Sequence, residues 1–163
     1  MMSKAPSTLL IGVGNEFRSD DAVGIFVARR IREKNFEGFS VAECDGEAAA
    51  LLEAWAGMKT VVIVAAVSSG APPGTIHRID ARRQPVAEEL FQYSTHDLGL
   101  TNAVELARSL GKLPTGLIIY GIEGKCFIAG STISNEVRDV FSEVVQLVTG
   151  ELFSLPDDVL QNS

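Results

Sequence analysis

Three short, uninterrupted apolar runs constrain the fold of this chain more than any other feature of its sequence. They occupy residues 9–13, 60–67 and 117–122. Continuous apolar runs of this length are typical of strands that are buried on both faces, as in a parallel sheet with helices on either side. Between them, apolar residues recur at helical spacing, most regularly over residues 133–148. We therefore predict an α/β three-layer sandwich, in which a twisted, mostly parallel sheet of about five strands carries helices on both faces.

The predicted elements follow one another without a linker, a repeat or a low-complexity segment. Further strands are predicted at residues 39–43 and 75–80, and helices at residues 21–34, 48–55, 98–110 and 133–148. Polar and apolar residues alternate in the fourth strand, which is typical of a strand near the edge of a sheet. In a chain of 163 residues, this pattern predicts one domain over residues 1–163, with a loosely held tail at residues 154–163.

Charge and hydropathy exclude several classes of partner. The chain has 21 acidic residues against 14 basic ones, a formal net charge of −7, and no basic run longer than pairs such as Arg29-Arg30, so we expect no nucleic acid partner. No apolar run approaches the roughly 20 residues that span a bilayer, and we expect no membrane partner. Residues 1–6 are too few and too polar for a signal peptide, which predicts a cytoplasmic location with Cys44 and Cys126 reduced.

The first segment that carries chemistry begins with Gly-Val-Gly-Asn at residues 12–15, directly after the first strand. A dinucleotide-binding loop would require a third glycine where Phe17 stands, and the acidic pair Asp20-Asp21 would repel phosphate, so a nucleotide-binding module is only a third interpretation. The simplest role for Asp20 and Asp21 is to cap the helix that follows and to favour its dipole. A cap explains one acid more readily than two.

The second segment, residues 94–100, contains His96. Ser94 and Asp97 have nearly the spacing of a capping box, which places His96 in the first turn of the next helix. The positive end of a helix keeps an imidazole neutral, which is the form that binds metal, although a lone histidine is more often a half-buried surface residue. His77 has a weaker case, because its strand offers no acid at ligand spacing.

Asp45 and Gly46 follow the second strand, where an acid is either a turn former or a member of a site at the carboxyl ends of the strands. Cys44 is a candidate nucleophile beside His96. Nothing in the sequence lowers the pKa of its thiol, however, which favours an inert core cysteine.

In this order and at this spacing, these segments resemble the NiFe hydrogenase maturation proteases, endopeptidases that remove the C-terminal extension of the hydrogenase large subunit. The similarity covers roughly residues 8–150, which is most of the chain. The matching positions are Gly12, Val13, Gly14 and Asn15 with Asp20, Asp21 and Gly24, then Asp45-Gly46, the segment 69–75, and Ser94-Thr95-His96-Asp97-Leu98-Gly99-Leu100.

The resemblance implies that the protein recognises nickel that the precursor carries in its unfinished active site, and that it holds no tightly bound organic cofactor. Proteases of this family sense the metal with an acid, an aspartate and a histidine. Carried over by position, the acid is Asp21 and the histidine is His96, and the partner is the large-subunit precursor. The aspartate belongs at the end of the third strand, where this chain has Ala65.

The departure at Ala65 predicts an impaired enzyme, because a two-ligand site holds a divalent ion weakly and a lost general base costs roughly 10²–10⁴ in rate. Two origins are open. Ala65 is either a deliberate substitution that inactivates the enzyme or traps a complex, which the intact surroundings favour, or a natural residue for which Glu16 or Asp45 substitutes. A maturation factor that binds the nickel-loaded precursor without cutting it is the alternative function.

Overall fold

The structure, a computed structural model, describes residues 6–86 and 98–161, with side chains as far as residue 154. Within these residues, five strands form one sheet in the order β2-β1-β3-β5-β4. All neighbours are parallel except β4, which runs antiparallel to β5 at the edge of the sheet. The predicted fold class is confirmed. The strands are β1 Thr8–Val13, β2 Ser40–Cys44, β3 Thr60–Val67, β4 Ile76–Asp80 and β5 Gly116–Glu123.

Four α-helices in the described part of the chain cover both faces of the sheet. They are α1 Val23–Glu33, α2 Ala48–Trp55, α3 Leu98–Ser109 and α4 Asn135–Gln161, and a 3-10 turn, Ser19–Ala22, leads directly into α1. Helix α4 runs to Gln161, and the looseness expected of residues 154–163 stays a prediction. None of these helices combines the length and hydropathy that crossing a membrane requires.

Strand β3 lies at the centre of two hydrophobic cores, and all eight of its residues are buried. Alternate side chains face opposite sides of the sheet. Ile63, Ala65 and Val67 belong to the core beneath α2 and α3, whereas Val62 and Val64 belong to the core beneath α1 and α4. This two-sided burial is the physical reason for the uninterrupted apolar run in the sequence.

Helix α1 approaches the sheet very closely at two glycines. A Cβ added at Gly24 would lie 2.2 Å from the Val64 carbonyl oxygen, and one added at Gly12 would lie 2.3 Å from the Gly24 carbonyl oxygen. Such contacts exclude any side chain, so the glycines set the distance between helix and sheet. The same close packing fixes the 3-10 turn with Asp20 and Asp21 beside the carboxyl ends of β1 and β3.

Both edge strands carry ion pairs. On β2, Glu43 binds Arg29 and Arg32, with closest distances of 3.0 and 2.7 Å. On β4, Arg78 Nε lies 2.7 Å from the Glu151 carboxylate of α4, which also accepts a hydrogen bond of 2.8 Å from the buried Tyr120 hydroxyl. Arg78, Tyr120 and Glu151 together connect α4 to β4 and β5.

Candidate functional site

The carboxyl ends of the parallel strands meet at one edge of the sheet, where the sequence predicted the site. Gly14 follows β1 and its N–H donates to the Cys44 carbonyl of β2 at 3.0 Å. An open groove of about 320 Å³ at this point is lined by Gly14, Asn15, Cys44 and Asp45, among others. The structure therefore brings the first predicted segment together with Cys44 and Asp45 at the end of the second strand.

Asp21 lies inside the turn that residues 14 and 15 form. It is 3% exposed, and its Oδ2 accepts a hydrogen bond of 3.1 Å from the Asn15 N–H. Gly14 has a φ of +148°, and a Cβ there would lie 2.0 Å from the Asp21 carbonyl oxygen. The glycine is thus required by the close approach of Asp21, with no phosphate needed to explain it. The geometry favours a turn that encloses the Asp21 side chain over a loop that binds a nucleotide.

The neighbouring Asp20 has a different role. It is fully buried and accepts four hydrogen bonds, from the Lys125 and Cys126 N–H groups and from the N–H and hydroxyl of Ser134, over 2.7–3.1 Å. Ser134 is the residue before α4, so Asp20 fixes the β5–α4 connection and the start of that helix. The N-cap positions of the 3-10 turn and of α1 are held by Arg18 and Ala22, and neither makes a capping hydrogen bond with its side chain. The capping role suggested for the pair is wrong for α1, because Asp20 supports another helix, through bonds to donors more than 100 residues away in sequence.

Ala65 lies two residues before the end of β3, opposite Gly121 of β5. Its methyl group is 1% exposed and packs in the core beneath α2 and α3. Because a methyl group has no lone pair, position 65 contributes no ligand. An acid at this position would stand among apolar side chains next to the carboxyl edge of the sheet.

His96, together with Ser94, Thr95 and Asp97, lies outside the described residues, so its predicted pairing with Asp21 stays a prediction. Helix α3, which follows it directly, begins against Gly46, in the segment that follows β2. A Cβ added at Gly99 would lie 1.8 Å from the Gly46 carbonyl oxygen. The start of α3 is thereby fixed beside Asp45-Gly46.

The two acids suggested as replacements at position 65 both have partners. Glu16 binds Arg29 at 2.7 Å, and hydrogen bonding to that guanidinium lowers the pKa of Glu16. Asp45 Oδ1 accepts a hydrogen bond of 3.0 Å from the Glu47 N–H, which makes it a turn former. Substitution by either acid stays a prediction.

Cys44 is a poor nucleophile in this setting. Burial raises the pKa of its thiol, and the negative charge of Asp45 raises that pKa further. The thiol is therefore protonated near neutral pH, as the sequence interpretation expected. Both cysteines are free.

Glu123, at the end of β5, forms a buried cluster that the sequence interpretation missed. It is 2% exposed and accepts hydrogen bonds from the N–H and hydroxyl of Ser69 at 2.7 and 2.6 Å, and its Oε1 lies 3.1 Å from His77 Nε2. The acid partner of His77 comes from the adjacent antiparallel strand, so spacing within β4 did not reveal it. The carboxylate lies between serine and histidine, so the histidine does not activate the serine. The cluster instead holds the loop that follows β3.

Among the residues that the structure describes, no group of three or more histidine, cysteine, aspartate or glutamate side chains is placed to hold a metal ion. The predicted nickel contacts, Asp21 and His96, are not tested by this arrangement, because His96 is not among those residues.

Comparison with known proteins gives a consistent family. Residues 28–151 match a family model described as "Hydrogenase maturation protease". The chain is 26% identical over 124 residues to the hydrogenase expression/formation protein HupD of Thiocapsa roseopersicina, covering 75% of this chain and 56% of HupD. It thus spans little more than half of HupD. A putative hydrogenase maturation protease of Methanocaldococcus jannaschii is 23% identical over 155 residues, covering 91% of this chain and 98% of the relative.

Solved structures share the fold. The hydrogenase maturating endopeptidase HybD from Escherichia coli superposes with a TM-score of 0.75 at 20% identity, covering 89% of this chain and 91% of that one. The [NiFe] hydrogenase maturation protease HybD from Thermococcus kodakarensis superposes with a TM-score of 0.68 at 25% identity, covering 89% and 98%.

Proposed function

Because the chain belongs to the hydrogenase maturation protease family, we propose that it is an endopeptidase acting on the large-subunit precursor of a NiFe hydrogenase. It removes the C-terminal extension after nickel has been inserted. The observation that carries this proposal is the buried Asp21, enclosed by the turn at Gly14 and Asn15 at the carboxyl edge of the sheet. We place this reaction in the cytoplasm, as expected from the sequence.

In the proposed reaction, the nickel is cargo of the substrate and no resident organic cofactor takes part. Asp21 and His96 contact the metal, and this contact positions the adjacent peptide bond. A water molecule attacks the carbonyl carbon of that bond, the C–N bond breaks, the water oxygen stays on the new carboxyl group, and a proton from the water passes to the leaving amine. The Asn15 N–H supports this role, because a hydrogen bond from the backbone holds the Asp21 carboxylate in one orientation.

Ala65 weakens this chemistry. The family places an aspartate at this position, and a methyl group neither binds the metal nor orients the attacking water. If that aspartate is a general base, its absence lowers the rate by roughly 10²–10⁴. We therefore propose that this chain binds the nickel-loaded precursor and cleaves it slowly.

The test compares the unchanged chain with Ala65→Asp and with Ala65→Asn as a control of similar shape and no charge. Each is mixed with precursor that is nickel-loaded or nickel-free, and the precursor mass is read by mass spectrometry. We expect Ala65→Asp to remove the extension from nickel-loaded precursor at least about 100-fold faster than the other two. Circular dichroism on each variant shows that it is folded.

Two results would contradict the proposal. If folded Ala65→Asp leaves the extension intact in every metal state, the protease assignment fails. If the unchanged chain cleaves as fast as Ala65→Asp, the role of position 65 is wrong.

A non-cleaving maturation factor is the second candidate, and the buried methyl of Ala65 favours it. Such a factor forms a stable complex with nickel-loaded precursor and leaves its mass unchanged. Size-exclusion chromatography followed by mass spectrometry distinguishes the two, because an enzyme releases a shortened product and a factor elutes with the uncut precursor.

A further inference from the structure

A groove of about 530 Å³ runs between α1 and α4, on the face of the sheet where Gly12 and Gly24 meet. Its lining contains Phe26 and Phe141 together with three arginines and one acid, Glu33. The arginines are Arg29, Arg30 and Arg138. In a chain with a formal net charge of −7, this excess of positive charge on one groove favours an acidic occupant.

Two of the three arginines keep their charge available. Arg29 is engaged by Glu16 and Glu43. The Arg30 guanidinium lies over the Phe141 ring, 5.4 Å from its centroid, and Arg138 donates to a backbone carbonyl at 3.4 Å. Of the ion pairs formed within residues 6–86 and 98–154, none includes Arg30 or Arg138.

The groove continues to the candidate site. A second hollow of about 350 Å³ shares Phe26, Ile133 and Arg138 with it and reaches Glu16, which also lines the groove beside Gly14 and Asp45. Arg30 follows Asp21 by nine residues of mostly helical chain, a rise of about 14 Å. An extended peptide covers that distance with about four residues.

We propose that this groove binds the C-terminal extension of the precursor, and that Arg30 and Arg138 recognise a carboxylate about four residues beyond the bond that is cut. The proposal rests on the proposed function for the identity of the peptide. Phe26 and Phe141 provide apolar surface for the intervening residues. The arginine pair acts on substrate binding, whereas Asp21 and position 65 act at the metal.

The first test uses the unchanged full chain, labelled with ¹⁵N, and a synthetic octapeptide of alanine and leucine with one glutamate and blocked ends. The matched peptide has glutamine in place of the glutamate. NMR titration is expected to show about fivefold tighter binding of the glutamate peptide, the upper range for an exposed ion pair, with shifts concentrated at Phe26, Arg30 and Arg138. The preference decreases as salt is added.

The variant Arg30→Gln with Arg138→Gln removes both charges, and Arg83→Gln is the control, because the Arg83 side chain is 87% exposed and pairs with Asp80 elsewhere on the surface. We expect the double variant to bind both peptides equally and Arg83→Gln to keep the preference. Equal binding of the two peptides by the unchanged chain would overturn the proposal. The proposal would also be overturned if the double variant still preferred the glutamate peptide, or if inorganic phosphate displaced both peptides equally from the unchanged chain.

The second test concerns position, in the Ala65→Asp background with nickel-loaded precursor. One precursor carries a single acid at the fourth residue of its extension, and the other carries it at the eighth. We expect the first to have the lower KM with an unchanged kcat, and the difference to vanish with Arg30→Gln and Arg138→Gln. Equal KM values reject the assigned position. Failure of Ala65→Asp to cleave either precursor rejects the proposed function. The peptide titration then tests separately whether the groove prefers an acidic peptide.

Discussion

At the scale of single residues, the adjacent acids Asp20 and Asp21 show how one dipeptide serves two purposes. Asp21 is enclosed by the turn after β1, at the candidate site. Asp20 points to the β5–α4 connection, where its buried carboxylate satisfies donors that would otherwise lie unpaired. A buried donor without a partner costs free energy, so the hydrogen bonds to Asp20 stabilise the folded protein as well as fixing the position of this connection.

We predict that Asp20→Asn lowers the free energy of unfolding by about 3 kcal/mol, since an amide NH₂ in place of Oδ2 would face the N–H groups of Lys125 and Cys126. Urea denaturation followed by circular dichroism measures the change. Asp139→Asn on the exposed side of α4 is the control and should alter stability by less than about 0.5 kcal/mol. Equal effects of the two substitutions would show that the hydrogen bonds of Asp20 contribute little.

The sequence predicted candidate site residues but not the hydrogen-bond partners that hold the structure around them. Asp21 and Ala65 were identified because their neighbours in sequence match a known pattern. The partners of Asp20 and His77 lie on other elements, 105 and 46 residues away, and no local pattern encodes such pairs. They became visible only once the register of β4 on β5 and the start of α4 were known.

At the scale of elements, the position of α1 depends on the absence of a side chain. Gly24 lets the helix backbone contact the Val64 carbonyl of β3 and the Val13 carbonyl of β1. The same helix directly follows the 3-10 turn with Asp21 and carries two of the three arginines of the groove, Arg29 and Arg30. A displacement of α1 therefore moves both sites together.

Two helical glycines provide a matched test. Gly24→Ala places a methyl against backbone atoms and should destabilise the protein by about 1–3 kcal/mol, as overpacking does. Gly150→Ala in α4 meets open space and should stabilise it by about 0.5–1 kcal/mol, because alanine favours helix. Thermal unfolding by calorimetry compares the two. A gain in stability for Gly24→Ala would contradict the close packing.

The elements themselves were largely predictable. A strand that is buried on both faces appears in the sequence as an uninterrupted apolar run, and a helix that is buried on one face appears as apolar residues at helical spacing. The alternation in β4 predicted an edge strand, and the structure confirms it. Its antiparallel direction was not predicted, since alternation is the same in either direction. The extent of α4 was also missed, because the apolar period that predicted residues 133–148 stops at Val148, whereas the helix runs to Gln161.

At the scale of the whole molecule, stability depends on pH through Glu151 and Glu43. Burial alone would raise the pKa of Glu151, but hydrogen bonds from Arg78 and Tyr120 outweigh it and the pKa is lowered. Hydrogen bonding to Arg29 likewise lowers the pKa of Glu43. A carboxyl group with a lowered pKa in the folded state stabilises the protein above its ordinary value of about 4.5, and this contribution is lost as the pH falls through the folded-state pKa.

We therefore expect the free energy of unfolding to decrease as the pH falls from about 5 to about 3, and to decrease less steeply in Glu151→Gln, which does not titrate. Urea denaturation at a series of pH values measures the slope. The control is Glu37→Gln, an exposed residue in the loop before β2. An identical slope in the unchanged chain and in Glu151→Gln would remove Glu151 from the acid response.

The ion pairs on the two edge strands also affect how copies of this protein meet one another. A sheet ends in strands whose outer N–H and C=O groups are unpaired, and these groups invite a strand from a second molecule. Here β2 carries Glu43 with its two arginines, and β4 carries Arg78 with Glu151. Bringing two such edges together would crowd and desolvate these charges, so the same pairs that fasten α1 and α4 to the sheet also protect it from self-association and aggregation.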